Sequence, residues 1–205
     1  TGHQGGNADW ALGHPEKIID YGYRAVHEMT VAAKAVITAY YGTAPKKSYF
    51  ASCSNGGRQA LMEVQRYPED YDGVLSGAPA NNFSHIAAAF LWNVQALSGA
   101  GYIPASKLKA IETAALKACD ARDGAQDGLI DSPDRCNFDP ATLACTGAEN
   151  DSCLSAPQVQ ALRKIYSGPR DSRHRSLLAG FVPGAEAAVR VARVAIRAFR
   201  PRMRL

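Results

Sequence analysis

Along the first eighty residues apolar positions recur with two different periods. From Tyr23 to Tyr40 they fall at Val26, Met29, Ala33, Val36, Ile37 and Tyr40, the spacing of a helix that buries one face. A helix-compatible run begins earlier, near Pro15, after a Gly-rich opening. Gly42 and Pro45 end the long helix, and Lys47 to Ser52 reads as a short strand leading into the tight run Cys53, Ser54, Asn55, Gly56, Gly57. Helical spacing returns from Gly57 to Tyr67 and stops at Pro68. Gly73 to Ser76 then predicts a second strand, closed by Gly77 and Pro79. Strand, helix, strand within about 30 residues is the parallel crossover unit of an α/β sheet.

Beyond Ala80 the strand signal disappears. Helical periodicity takes over at about 84–97, 106–118 and 155–167, the last with Ser155 and Gln158 placed as a capping box and Gly168 just past its end. The expected organisation is a partial α/β-hydrolase core over residues 1–81, a helical, loop-rich lid insertion over 82–186 and an Arg-rich tail over 187–205. The long apolar runs, Val31 to Tyr41 and His85 to Leu97, are broken by Lys34, Asn93 and Gln95. Neither reaches the roughly 18 residues a membrane span needs, so a soluble protein with no membrane partner is expected.

The formal charge of +4 suggests a basic protein until it is mapped along the chain. Residues 1–169 hold 14 Lys and Arg against 17 Asp and Glu, whereas residues 170–205 hold nine Arg against Asp171 and Glu186. The body is slightly acidic and carries no basic, aromatic-flanked stripe, which argues against a nucleic-acid surface. Five cysteines, none in a C-x-x-C pair, give little support to zinc or thioredoxin-like chemistry. Their spacing suggests two short closed loops, Cys119 with Cys136 and Cys145 with Cys153, in an Asp-rich region where crosslinks help a thinly cored segment. That points to an oxidising compartment, secreted or periplasmic. Cys53 is left without a partner in this chain.

Ser52 to Gly56 fits a nucleophile elbow in which Ser replaces the first Gly of G-x-S-x-G. Such an elbow needs a strand turning sharply into a helix, with small neighbours, so that a strained backbone presents the Ser54 hydroxyl above the sheet. The helix start supplies free backbone N–H groups, and the Asn55 N–H would be one of two donors to a tetrahedral oxyanion. A Gly-rich turn with no chemistry is the plain alternative. In the run from Cys119 to Cys136 carboxylates recur as Asp120, Asp123, Asp127 and Asp131, with Gly124 and Gly128 between them. Clustered carboxylates repel unless a hard cation neutralises them, and bent backbone would let the Ala125 and Leu129 carbonyls turn inward beside them. An EF-hand reading from Asp123 fails, because its third position is Ala125 and no Glu closes the loop. A solvated Asp-Gly turn is again the alternative.

The string YFASCSNGGRQALMEVQRYPEDYDGVLSGAPANN, with TGHQGG and ALGHPEKIIDYGYRAVHEMTVAAKAVITAYYG ahead of it, closely resembles the tannase and feruloyl esterase family, over about residues 1–186. The resemblance implies a serine esterase acting on gallate, ferulate or related phenolic esters, with Ser54 acylated. It implies that Cys53 is bridged to a Cys directly after the catalytic His, and that the catalytic Asp and His lie well beyond the insertion. The chain contains no His-Cys pair; His3, His14, His27, His85 and His174 are each more plausibly structural than the base. The same resemblance implies a structural Ca²⁺ in the disulfide-bracketed loop, held by Asp120, Asp123, Asp127 and the carbonyls of Ala125 and Leu129. Phe83, Phe90, Leu91 and Trp92 could wall a phenolic acyl group, but their helical spacing favours the lid's own core. The Arg-rich tail reads as a shifted or truncated frame rather than a membrane-binding helix. A non-catalytic, calcium-stabilised binding module or inactive remnant is the competing function, and the oligomeric state is not legible.

Overall fold

The computed structural model describes residues 8–187; the chain divides at Phe83 and Ser84 into two compact units, Thr1–Phe83 and Ser84–Leu205. Residues 188–205 of the Arg-rich tail, and His3, lie outside the described residues.

In the first unit, helix α1 (Pro15–Ile19) begins with proline, whose missing N–H costs nothing at a helix start. It runs through one widened, π-type turn, Asp20–Arg24, into α2 (Ala25–Tyr41). Gly42 ends α2 at φ 71°, the left-handed cap expected of glycine. Strand β1 (Tyr49–Cys53), helix α3 (Asn55–Arg66) and strand β2 (Gly73–Gly77) follow, and the strands pair in parallel from Tyr49 opposite Gly73 to Cys53 opposite Gly77. The small parallel sheet and its crossover helix stand where the hydrophobic pattern puts them.

The burial of α2 departs from that pattern. Thr30 is its single buried residue, while Met29, Val36, Ile37 and Tyr40 are exposed. The stripe that faces other elements is polar, at i, i+3 and i+7. His27 Nδ1 lies 2.7 Å from Asp70 Oδ2 and its ring stacks on Tyr67 at 3.9 Å. Thr30 pairs with the Tyr71 hydroxyl, and Lys34 Nζ donates to the Asp70 carbonyl. Glu63 of α3 is 1 % exposed, with one carboxylate oxygen that has no hydrogen-bond partner. Burial and the neighbouring Asp70 charge push its pKa up to about 7, against a smaller opposing pull from His27.

The second unit has an apolar core. Helices α4 (Phe83–Ala96, whose first residue belongs to the first unit), α5 (Leu108–Cys119) and α6 (Ala156–Ser167) are joined by short 3₁₀ turns and loops. Ile103, Ile111, Ala115, Phe138, Leu154, Val159 and Leu162 pack together around Cys119. Disulfides join Cys119 to Cys136 and Cys145 to Cys153, closing loops of 17 and 8 residues. The capping signal at α6 is used: Gln158 Oε1 accepts from the Ser155 N–H at 3.0 Å and from Lys107 Nζ at 2.9 Å. Buried Lys107 also pairs with Glu149 at 2.6 Å, which holds that carboxyl below its usual range. Phe90 and Leu91 are not part of this core. Both are exposed, because the centre of the unit is filled from α5, α6 and the crosslinked loops, while Trp92 donates its Nε1–H to the Lys164 carbonyl at 2.8 Å. No single helix among the described residues is long and apolar enough to cross a membrane.

Candidate functional site

Ser54 stands where β1 ends and α3 begins, with φ 60° and ψ −117°. A non-glycine residue rarely takes such a conformation, and it persists only where its surroundings over-determine it. Here they do. The Ser54 N–H donates to the Gly77 carbonyl at 3.0 Å, and the Ser54 carbonyl accepts from the N–H groups of Arg58 at 3.1 Å and Ala80 at 3.0 Å. The side chain is on an exposed residue, one position beyond the strand.

The two glycines that follow are required by space. A Cβ at Gly56 would lie 1.9 Å from Ser52 Oγ, and one at Gly57 would lie 2.5 Å from the Gly77 carbonyl and 2.8 Å from Pro79 Cα. Helix and strand therefore meet backbone to backbone beneath the turn. Ser76 adds a hydroxyl bond to the Gly57 carbonyl at 2.9 Å.

Asn55 is the first residue of α3, so its backbone N–H has no intrahelical acceptor. Its side chain is pinned from two directions: Oδ1 accepts from the Tyr21 hydroxyl at 3.2 Å and from Arg58 Nε at 2.9 Å. Arg58, buried at 8 % exposure, donates its other two nitrogens to the carbonyls of Gly22 and Tyr21, each at 2.9 Å. The planar guanidinium lies over the rings of Tyr21 and Phe83, at 4.7 and 5.6 Å. Pattern reading of the sequence misses Arg58 and Tyr21. The one local signal was a charged residue in the fourth place of a helix whose buried positions are Gly57, Arg58, Ala60 and Glu63.

Cys53, beside Ser54, is exposed and carries a free thiol. Of the histidines, His27 belongs to the Asp70 and Tyr67 cluster, and His174 sits in a surface turn at φ 60°.

In the crosslinked loop Gly124 and Gly128 take φ 97° and 83°, so both bends need glycine. Asp120 accepts from the N–H groups of Asp127 and Gly128, Asp123 from those of Ala125 and Asp131, and Asp127 from that of Leu129. The donor set is oxygen alone, which suits a hard cation such as Ca²⁺. As folded, these carboxylates serve the loop's own backbone, and among the described residues no three acidic, His or Cys side chains are grouped to hold a metal.

Residues 1–193 match the family model described as tannase and feruloyl esterase. The chain is 46% identical over 185 residues to an uncharacterized esterase of Xanthomonas campestris, covering 89% of this chain and 32% of that protein. It is 38% identical over 170 residues to feruloyl esterase B of Aspergillus niger, covering 81% of this chain and 33% of that enzyme. Its fold superimposes on the crystal structure of feruloyl esterase B from Aspergillus oryzae with a TM-score of 0.76 at 31% identity, over 92% of this chain and 39% of that one. The chain thus spans about a third of the length of the curated relatives it matches.

Proposed function

This chain belongs to the tannase and feruloyl esterase family, and from that premise we propose that it carries the nucleophile of a serine carboxylic ester hydrolase of α/β-hydrolase type acting on small phenolic esters. One observation carries the reading: within the string Cys53 to Gln59 the backbone is forced to φ 60° at an exposed Ser54 between a parallel strand and a helix. The similarity to a feruloyl esterase B supports the aromatic acid half of the substrate.

In the proposed reaction Ser54 Oγ attacks the ester carbonyl and its proton passes to a base. The carbonyl oxygen becomes negative, and the N–H of Asn55, which has no acceptor within the helix, stabilises that charge. Collapse breaks the ester C–O bond, the base returns its proton to the departing alkoxide so that it leaves as the alcohol, and the acyl-Ser54 that remains is hydrolysed by water through the same route. A serine hydroxyl is a weak nucleophile at neutral pH without a base. We place that base outside the five histidines of this chain, since none is followed by Cys and Cys53 is free to be bridged beside it. These 205 residues by themselves should therefore turn over esters slowly.

In the lid, Asp120, Asp123, Asp127 and the carbonyls of Ala125 and Leu129 would hold a structural Ca²⁺. Its chemistry there is to neutralise the carboxylates and stiffen the loop, with no part in activating water. The oxygen-only donor set and the glycine bends support this reading. The two disulfides suit a secreted or periplasmic protein.

A fluorophosphonate probe tests the nucleophile: labelling, slow for want of the base, should over a long incubation map to Ser54 and vanish in Ser54→Ala. Absence of labelling in the unaltered chain would favour the non-catalytic binding module or an inactive remnant instead. For the cation, calorimetric titration of the oxidised protein should show a single Ca²⁺ bound, and a flat titration removes the claim.

A further inference from the structure

We propose that Arg58 is a positioning residue for the oxyanion donor: by fixing Asn55 from the side-chain end, it fixes the backbone N–H that faces the developing negative charge. The proposal rests on the reading of Ser54 as nucleophile. Three features carry it. First, all three types of guanidinium nitrogen are used, with Nε on Asn55 Oδ1, and Nη1 and Nη2 on the Gly22 and Tyr21 carbonyls. A side chain committed in three directions has no freedom left to let Asn55 rotate.

Second, the acceptors come from elements far apart in sequence. Gly22 and Tyr21 lie in the widened turn Asp20–Arg24, and Tyr21 returns a second bond to the same Asn55 oxygen. The turn, Arg58 and Asn55 thus close a ring of hydrogen bonds around the start of α3. Opening a helix to the π form is a local cost that tends to mark a working site.

Third, the cation is buried yet makes no ion pair among the described residues. Carbonyl dipoles, one amide oxygen and the faces of Tyr21 and Phe83 surround it. A carboxylate here would neutralise the Arg and bring a negative charge to the turn where an oxyanion must form. The structure supplies neutral acceptors instead, within one helical turn of Ser54, whose carbonyl accepts from the Arg58 N–H.

Arg58→Met keeps the apolar stem and removes the three donors. In this variant the Asn55 N–H order parameter, read by ¹⁵N relaxation, should fall from the roughly 0.85 of rigid backbone towards about 0.6, while the β1 amides keep their order parameters and their protection from exchange. Saturation kinetics of fluorophosphonate labelling at Ser54 should show the maximal rate falling by about tenfold or more with the probe's half-saturation unchanged, since a lost oxyanion donor costs about 10²–10³ in the full reaction. Arg58→Lys, which keeps charge but reaches one acceptor at a time, should fall between the two and serves in place of Arg58→Met if that variant loses β1 protection. An Asn55 order parameter equal to that of the unaltered chain, or a labelling rate left unchanged in a folded variant, overturns the role of Arg58. An unaltered chain that shows no labelling at Ser54 even over the long incubation sinks the nucleophile reading beneath it, which is a distinct result.

Discussion

The two units are stabilised by opposite means. In Ser84–Leu205 the buried side chains are mostly apolar, gathered around Ile111, Leu154 and Val159 and stitched by two disulfides. In Thr1–Phe83 the buried side chains are Thr30, Arg58, Glu63 and Asp70, and Ala60 is the lone buried hydrophobic among the described residues. Large apolar side chains, Met29, Val31, Val36, Tyr40, Tyr49 and Leu75 among them, face outward in the same unit. An apolar core tolerates a range of sequences of the right volume, whereas a buried polar network is favourable only when nearly every partner is in place. The region that bears the candidate nucleophile is therefore the more exacting one, held by named hydrogen bonds rather than by volume.

Four substitutions can break or sharpen this contrast, and the two tryptophans, Trp10 in the first unit and Trp92 in the second, report on each unit separately by fluorescence during urea unfolding. The largest loss is expected for Ile111→Ala, at 0 % exposure in the apolar core: about 3–4 kcal/mol, seen by Trp92. A loss below about 1 kcal/mol would mean that the second unit is not cored as described. Gly57→Ala forces a Cβ to within 2.5 Å of the Gly77 carbonyl and should cost about 2–3 kcal/mol, seen by Trp10. Equal loss at both tryptophans would show that the units unfold as one.

Smaller is the effect at Glu63. Its folded-state pKa, about 7, lies above the ordinary 4.5, so between those values the folded state binds the proton and the unfolded state does not. Stability from this group is thus complete below about pH 4.5 and falls as pH rises through about 7, with Asp70, His27 and Tyr71 as the groups around it. Glu63→Gln should flatten that decline, by about 1–2 kcal/mol across the window. A mutant whose pH profile by Trp10 keeps the full slope contradicts the assignment. The smallest change is expected at the surface: Val36→Ser, 67 % exposed, should alter stability by less than about 0.5 kcal/mol, and a larger loss would mean that α2 buries more than its polar stripe.

What the sequence revealed follows the same division. The strand, the turn and α3 were legible because small residues crowd at 51–57 and Pro68 ends the helix. The α6 start was legible because capping is local, Ser155 and Gln158 being three residues apart. The disulfide pairing was legible from spacing in an Asp-rich stretch. Periodicity misled at α2, since it ranks faces by hydrophobicity and cannot say which one a neighbour will cover; the face used runs through His27, Thr30 and Lys34. Arg58 was invisible because its partners Tyr21 and Gly22 are 37 and 36 residues away. The Glu63 cluster was hidden for the same reason, as Asp70 and His27 come from different elements.

The direct meeting of Gly57 with Gly77 and Pro79 has a mechanical consequence. Where two main chains touch there is no rotamer between them to yield, so the seat of Ser54 behaves as a stiff bracket rather than a cushioned one. Side chains nearby can drift through many alternatives without moving the hydroxyl, but displacement at the end of β2, where Ala78 already sits at φ 36°, passes undamped into the turn.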